Sequence, residues 1–207
     1  MTKNILLIHG LSAPSWLLNP MARFFRQKKF NVVSIHYPSR QQNLEHICQS
    51  IWNKIEPLIQ DKTWHIVTHS LGGIAIQQIL NDFKPKNIES IIMISPPNRG
   101  SELYSFFKQF FPPMLYVIGG ANLPLGATKT PLAPNICKEY RCHLIAGRTS
   151  WTLSGCLIPR PNDGILSIDS MKINGLVSTQ IIDREHLLMV FSKKTYHAIL
   201  KIINGEI

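Results

Sequence analysis

The stretch Trp64-His65-Ile66-Val67-Thr68-His69-Ser70-Leu71-Gly72-Gly73 carries the reading of this chain. A run of strand length, residues 64–68, gives way without a linker to a helical pattern of Ile74, Ile76, Ile79, Leu80 and Phe83 that ends before Pro85. A serine at so sharp a strand-to-helix turn is held with its hydroxyl pointing out of the strand end. Small residues must flank it, because the helix passes close to the strand; Gly72 and Gly73 meet that demand. Thr68 stands where the pattern G-x-S-x-G has glycine, so the stretch departs from it by one residue, and Thr68 has to fit a crowded turn. A serine opening a helix is ordinarily an N-cap. Whether Ser70 is more than that depends on the rest of the chain.

On either side, apolar runs of strand length alternate with longer amphipathic stretches, the pattern of βαβ units and a parallel sheet. Residues 5–9 read as a first buried strand, 19–29 as a helix and 30–36 as a second strand carrying Val32, Val33 and Ile35. Residues 42–59 place Leu44, Ile47, Ile51, Ile55, Leu58 and Ile59 at steps of three and four, giving a helix with one apolar face. Residues 88–95 form a fourth strand stopped by Pro96 and Pro97, residues 143–146 a fifth and residues 179–182 a sixth, with a closing helix over 187–203. The segment 101–135, dense in Phe, Pro, Leu and Gly, reads as an insertion or cap.

The chain has 207 residues, 22 Lys+Arg against 12 Asp+Glu, a formal charge of +10, and 44% hydrophobic against 16% charged residues. One domain is expected, since single cores stop growing at roughly 250 residues, and the composition excludes a disordered polyelectrolyte. No apolar run approaches the roughly 20 residues that span a bilayer. A secretory signal is not expected either: Lys3 precedes only four apolar residues before His9 and Gly10. A reducing, cytoplasmic setting is the expectation. Cys48, Cys137, Cys142 and Cys156 then read as free thiols, with a bridge from Cys142 to Cys156 or Cys137 as the other reading. They make no zinc set with the histidines. The basic residues are spread mostly singly, which suits a solvated surface; the other reading is attraction to anionic lipid or nucleic acid. Nothing interleaves aromatic and basic residues as in an RNA-binding sheet, so no nucleic acid is expected.

Two features bear on Ser70. His9-Gly10-Leu11 ends the first strand, where glycine lets the backbone turn so that the Leu11 amide can face the serine; the Leu71 amide lies at the start of the helix. Two such N–H groups form a hole for the oxygen of a tetrahedral intermediate. A serine nucleophile also needs a base, and in this strand order the acid and then the histidine come later in the chain. Of the histidines beyond Ser70, His143 lies inside a strand and His197 inside the last helix, leaving His186 just after the final strand. For the acid, Asp163 in Pro161-Asn162-Asp163-Gly164 is preferred because Pro and Gly fix a turn that can present a carboxylate. Asp169 and Asp183 are the fallbacks.

With these residues in place, and with Ser95-Pro96-Pro97-Asn98-Arg99-Gly100-Ser101 after the fourth strand, the chain resembles a small α/β-hydrolase of the lipase and esterase type, close in that Pro-rich Gly-Ser segment to class 2-like lipases. The resemblance runs from the first strand to the last helix. It implies a mostly parallel central sheet of about six strands with helices on both faces, Ser70 as nucleophile, His186 as base, Asp163 as the residue orienting it, and Leu11 and Leu71 as oxyanion amides. It implies no cofactor and no metal, and as substrate a small-molecule or lipid ester. Phe106, Phe107 and Phe110 read either as an apolar wall for an acyl chain, with transient contact to anionic membrane, or as the buried face of one more helix. Other functions compatible with the same residues are thioester hydrolysis or acyl transfer by the same triad, and a non-catalytic binding protein on this fold.

Overall fold

A computed structural model describes residues 3–128 and 130–207. Six strands, β1 (Asn4–Ile8), β2 (Asn31–Ile35), β3 (Trp64–His69), β4 (Ile88–Ile94), β5 (Cys142–Gly147) and β6 (Ser178–Ile182), form one all-parallel sheet in the order β2-β1-β3-β4-β5-β6. Around it lie α1 (Asn19–Gln27), α2 (Leu44–Ile55), α3 (Leu71–Phe83), α4 (Glu102–Phe110), α5 (Pro112–Val117), α6 (Ile136–Glu139), α7 (Ile168–Met171) and α8 (Lys193–Asn204).

Strand alternation sorts the core into two layers, because successive side chains point to opposite faces of a strand. Ile5 and Leu7 of β1 join Met21 and Phe25 of α1 and Ile199 and Ile202 of α8 on one face. Leu6 and Ile8 join Ile47 and Ile51 of α2 and Ile76 and Ile79 of α3 on the other. A central strand buried on both faces should read as a continuous apolar run, and all of β1 is buried. The crossover from β1 runs to β2 on one side, and the crossover from β2 passes back over β1 to β3 on the other, so the strand order reverses between β1 and β3. Open parallel sheets bind ligands outside the carboxyl ends of their strands at such a switch point. Register places Ile8 beside Thr68, so the residues two further on, Gly10 and Ser70, emerge side by side.

The closing helix differs from the expectation of one element over 187–203. It is a 3₁₀ segment, Leu187–Phe191, followed by α8, and the break falls at Ser192, whose hydroxyl accepts the Thr195 N–H. A serine with extended backbone there makes a better N-cap than a helix-interior residue. The expected insertion, 101–135, folds its first half into α4 and α5. All four cysteines are free, Cys48 and Cys142 buried and Cys156 exposed. Among the described residues no helix is long and apolar enough to cross a membrane.

At the amino-terminal edge of the sheet two buried histidines share one face, His65 with Nδ1 at 2.8 Å from Ser90 Oγ and His143 with Nδ1 at 2.8 Å from Ser178 Oγ. Burial, with Lys3 and Arg141 nearby, pushes His65 down to about 4, and burial with Arg141 pushes His143 down to about 4, from an ordinary 6.5. Above the ordinary value neither folded nor unfolded chain is protonated there. As pH falls from 6.5 toward 4, the unfolded chain binds protons that the folded one refuses, and stability drops; below about 4 the loss is complete. Urea unfolding midpoints should therefore fall between about pH 7 and about pH 4.5, and the paired substitution His65→Gln, His143→Gln should flatten that slope.

Candidate active site

The nucleophile candidate stands on a strained turn. Ser70 has φ 52° and ψ −124°, outside the regions a non-glycine residue ordinarily occupies, and such strain persists only where the surroundings enforce it. Its N–H donates to Ile94 O at 2.9 Å and its carbonyl accepts from Gly73 N at 2.9 Å, tying it to β4 and to the first turn of α3. The helix comes down hard on β1: a Cβ on Gly72 would lie 2.6 Å from His9 O and 2.9 Å from Ile8 O, both backbone atoms. On the other side, a Cβ on Gly10 would lie 3.0 Å from Ser70 Cβ. Neither position admits a side chain without moving the turn. Thr68 finds its room beside Gly73, where a Cβ would stand 3.2 Å from Thr68 Oγ1, and its buried hydroxyl has no hydrogen-bond partner.

His186 and Asp163 meet inside the protein. His186 Nδ1 lies 2.7 Å from Asp163 Oδ2, and both side chains are buried. Asp163 Oδ1 accepts the N–H groups of Ile165 at 3.1 Å and Leu166 at 2.9 Å, and the Ser95 hydroxyl also donates to this carboxylate. Burial alone would raise the Asp163 carboxyl, but the facing His186 and these donors outweigh it and hold the group below the ordinary carboxylate value. An ionised Asp163 accepts a hydrogen from Nδ1, which leaves the other ring nitrogen, Nε2, free of any partner among the described residues. The fallback acids lie elsewhere: Asp169 is exposed and pairs with Lys172 at 2.9 Å, and Asp183 pairs with Arg148. His143 sits at the far end of the sheet, and His197 is exposed with Nδ1 at 2.7 Å from Lys193 O.

Ser70 and His186 line one cavity of about 300 Å³, together with Gly10, Leu11 and Leu71 and the apolar side chains of Leu103, Phe107, Ile118 and Leu125. Ser70 makes no hydrogen bond to His186 among the described residues, a separation of the kind that closes in many substrate complexes. Leu71 is the first residue of α3, so its N–H has no acceptor within the helix. The Leu11 N–H finds no acceptor among the described residues. Its peptide is oriented by the carbonyl at the other edge, since Gly10 O takes His9 Nδ1–H at 2.9 Å and Ala13 N–H at 3.4 Å. His9 is itself buried, stacked on Tyr37 with ring centroids 4.1 Å apart, and burial lowers its affinity for a proton.

Of the three phenylalanines singled out in sequence, Phe107 lines the cavity. Phe106 and Phe110 do not; they stack with each other at 5.0 Å on the outer side of α4, Phe110 exposed. A helical face turns by 100° per residue, so neighbours in sequence cannot all face one pocket. Two supports escape a motif search. Ser95, at the end of β4, is legible only as a strand-end residue, and His69 sits in the variable position of the elbow motif. Among the described residues no group of three or more His, Cys, Asp or Glu side chains is placed to hold a metal ion.

No protein-family model matches the chain. It is 24% identical over 197 residues to triacylglycerol lipase 2 of Saccharomyces cerevisiae, covering 80% of this chain and 59% of the yeast protein, so it spans about three fifths of that relative's length. Its structure is similar to the mature form of the lipase BlEst2 of Bacillus licheniformis, with a TM-score of 0.83 and 16% identity over 97% of this chain and 91% of that one. A metagenomic carboxyl esterase superposes with a TM-score of 0.74 and 15% identity over 99% of this chain and 76% of that one. The fold is that of the α/β-hydrolases.

Thr68 offers a test of how the turn is packed. Replacing an unpartnered buried hydroxyl by a methyl of similar shape removes a desolvation cost, so Thr68→Val should stabilise the protein by about 1 kcal/mol, read from urea unfolding at neutral pH.

Proposed function

We propose, taking the α/β-hydrolase fold as premise, that this protein is a serine hydrolase of carboxylic esters. The observation that carries the reading is the buried His186–Asp163 contact of 2.7 Å opening onto the cavity that Ser70 also lines. His186 Nε2 takes the Ser70 proton as the hydroxyl attacks the ester carbonyl, and Asp163 stays ionised to hold the imidazole and offset its charge. The N–H groups of Leu11 and Leu71 receive the oxyanion. His186 then protonates the leaving alcohol, and water hydrolyses the acyl-enzyme by the same steps in turn. The apolar walls suit an acyl chain, and about 300 Å³ lies at the small end of ligand cavities, which favours short or medium chains.

Exposed apolar side chains stand on the connecting segments that follow the strands at this same edge of the sheet. Trp16 follows β1, Tyr116 and Val117 precede the cavity residue Ile118, Trp151 and Leu153 follow β5, and Leu187 both lines the cavity and is exposed. With a formal charge of +10, this rim suits a lipid ester met at an anionic surface.

Two measurements test these readings. Ser70→Ala should lose on the order of 10⁴-fold or more of its p-nitrophenyl ester turnover, along with covalent labelling by a fluorophosphonate, at unchanged folding; a parallel thioester panel reports leaving-group preference. Wild-type protein should float with anionic vesicles at low salt and release as salt rises; failure to float at low salt removes membrane contact from the proposal and leaves the chemistry untouched.

A further inference from the structure

His69, the residue just before the proposed nucleophile, is wholly enclosed and touches two other parts of the site. Its Nε2 lies 3.1 Å from the backbone oxygen of His186. A carbonyl only accepts, so Nε2 carries the hydrogen and donates it, which fixes the tautomer and leaves Nδ1 as a bare lone pair. Nδ1 is buried and unpartnered, and it stands 3.3 Å from where a Cβ on Gly10 would be. The two imidazoles pack with centroids 4.9 Å apart. One ring therefore lies between the oxyanion turn and the loop that carries the base, while its own backbone belongs to the elbow.

A buried nitrogen without a partner costs stability, and an apolar side chain of similar size would fill the same space without that cost. What such a side chain could not supply is the bond to His186 O. The other side of His186 is already tied, its N–H donating to Asp163 O at 2.9 Å. With the His69 bond, the base is gripped through both its N–H and its carbonyl. Burial, with His186 alongside, pushes the His69 imidazole down to about 3, so it stays a neutral donor while its neighbour takes up and releases a proton.

We infer that His69 is a positioning residue for the base, clamping the His186 backbone so that Nε2 of His186 stands within reach of the Ser70 hydroxyl. The inference rests on the triad proposed above and adds a role outside it. A displacement of about 1 Å in a catalytic group can cost on the order of 10²-fold in rate. Glutamine can carry an amide N–H to about the place of Nε2, whereas the shorter asparagine reaches only about as far as Nδ1.

The test compares His69→Leu, His69→Asn, His69→Gln and Ser70→Ala with wild type on a p-nitrophenyl ester, with kcat and KM separated, the fluorophosphonate labelling rate measured, and folding followed by thermal melts. His69→Leu and His69→Asn should lose about 10- to 100-fold in kcat with KM within about twofold, and should label more slowly in proportion. His69→Gln should recover to within about fivefold of wild type. Should His69→Leu not fold, the Gln and Asn pair decides alone. The clamp is overturned if folded His69→Asn keeps wild-type kcat, or if folded His69→Gln is as impaired as His69→Asn. Turnover surviving in Ser70→Ala overturns the triad itself; full loss there beside unimpaired His69 variants overturns only the clamp.

Discussion

Helix α3 begins where it does because residue 72 has no side chain. With the backbone oxygens of Ile8 and His9 at 2.9 and 2.6 Å from where a Cβ would be, any larger residue would push the helix away from the end of β1. That approach brings the elbow, the β1 turn and the helix N-terminus together within a few ångströms. Ser70 is then forced into its left-handed conformation, since the chain has no room to leave β3 more gradually. The unpaired N–H of Leu71 and the turn at Gly10 come to one place for the same reason, so the Ser70 elbow and these two backbone segments share a single packing constraint.

The electrostatics of the site follow from how differently its buried groups are compensated. Asp163 is as enclosed as any core residue, yet donors from Ile165, Leu166, Ser95 and His186 surround the carboxylate and keep it charged. His9 and His69 have no such charged partner at hydrogen-bond distance, and burial keeps them neutral. One fixed negative charge therefore faces a single imidazole at hydrogen-bond distance, that of His186. The same logic makes the neutral histidines at the opposite edge a liability in acid, where burial offers them no counter-ion.

How much of this was legible in the sequence depends on the distance over which each signal acts. The βαβ alternation is local, and the strands follow it to within a residue or two at each end. The elbow is local as well: two glycines after a serine at a strand end already demand a close approach. The pairing of His186 with Asp163, 23 residues earlier, could be narrowed only by strand order and elimination, because nothing near either residue announces the other. Ser95 and His69 were illegible in their roles, since a serine after a strand and a histidine inside a motif acquire partners only once the sheet is assembled. The split of the closing helix was legible in principle, as Ser192 is a capping residue, but the apolar run Leu187 to Phe191 before it and the helical spacing of Tyr196, Ile199 and Ile203 after it mask the break.

The segment after β4 shows where periodicity stops short of function. Phe106, Phe107, Phe110 and Phe111 fall within six residues, and a reading by composition treats them as one wall. Helical geometry divides them: Phe107 faces the cavity, while Phe106 gathers with Phe110 and Phe111 on the outer side of α4. The outer aromatics are not held by the core, because Phe110 and Phe111 are both more than half exposed. They lie on the same cap as Tyr116 and Val117, which lead into the cavity residue Ile118. A single short segment thus supplies an inner apolar wall and an outer apolar surface. The outer aromatics and the cavity wall are therefore carried by the same two helices, and the packing of one side constrains the other.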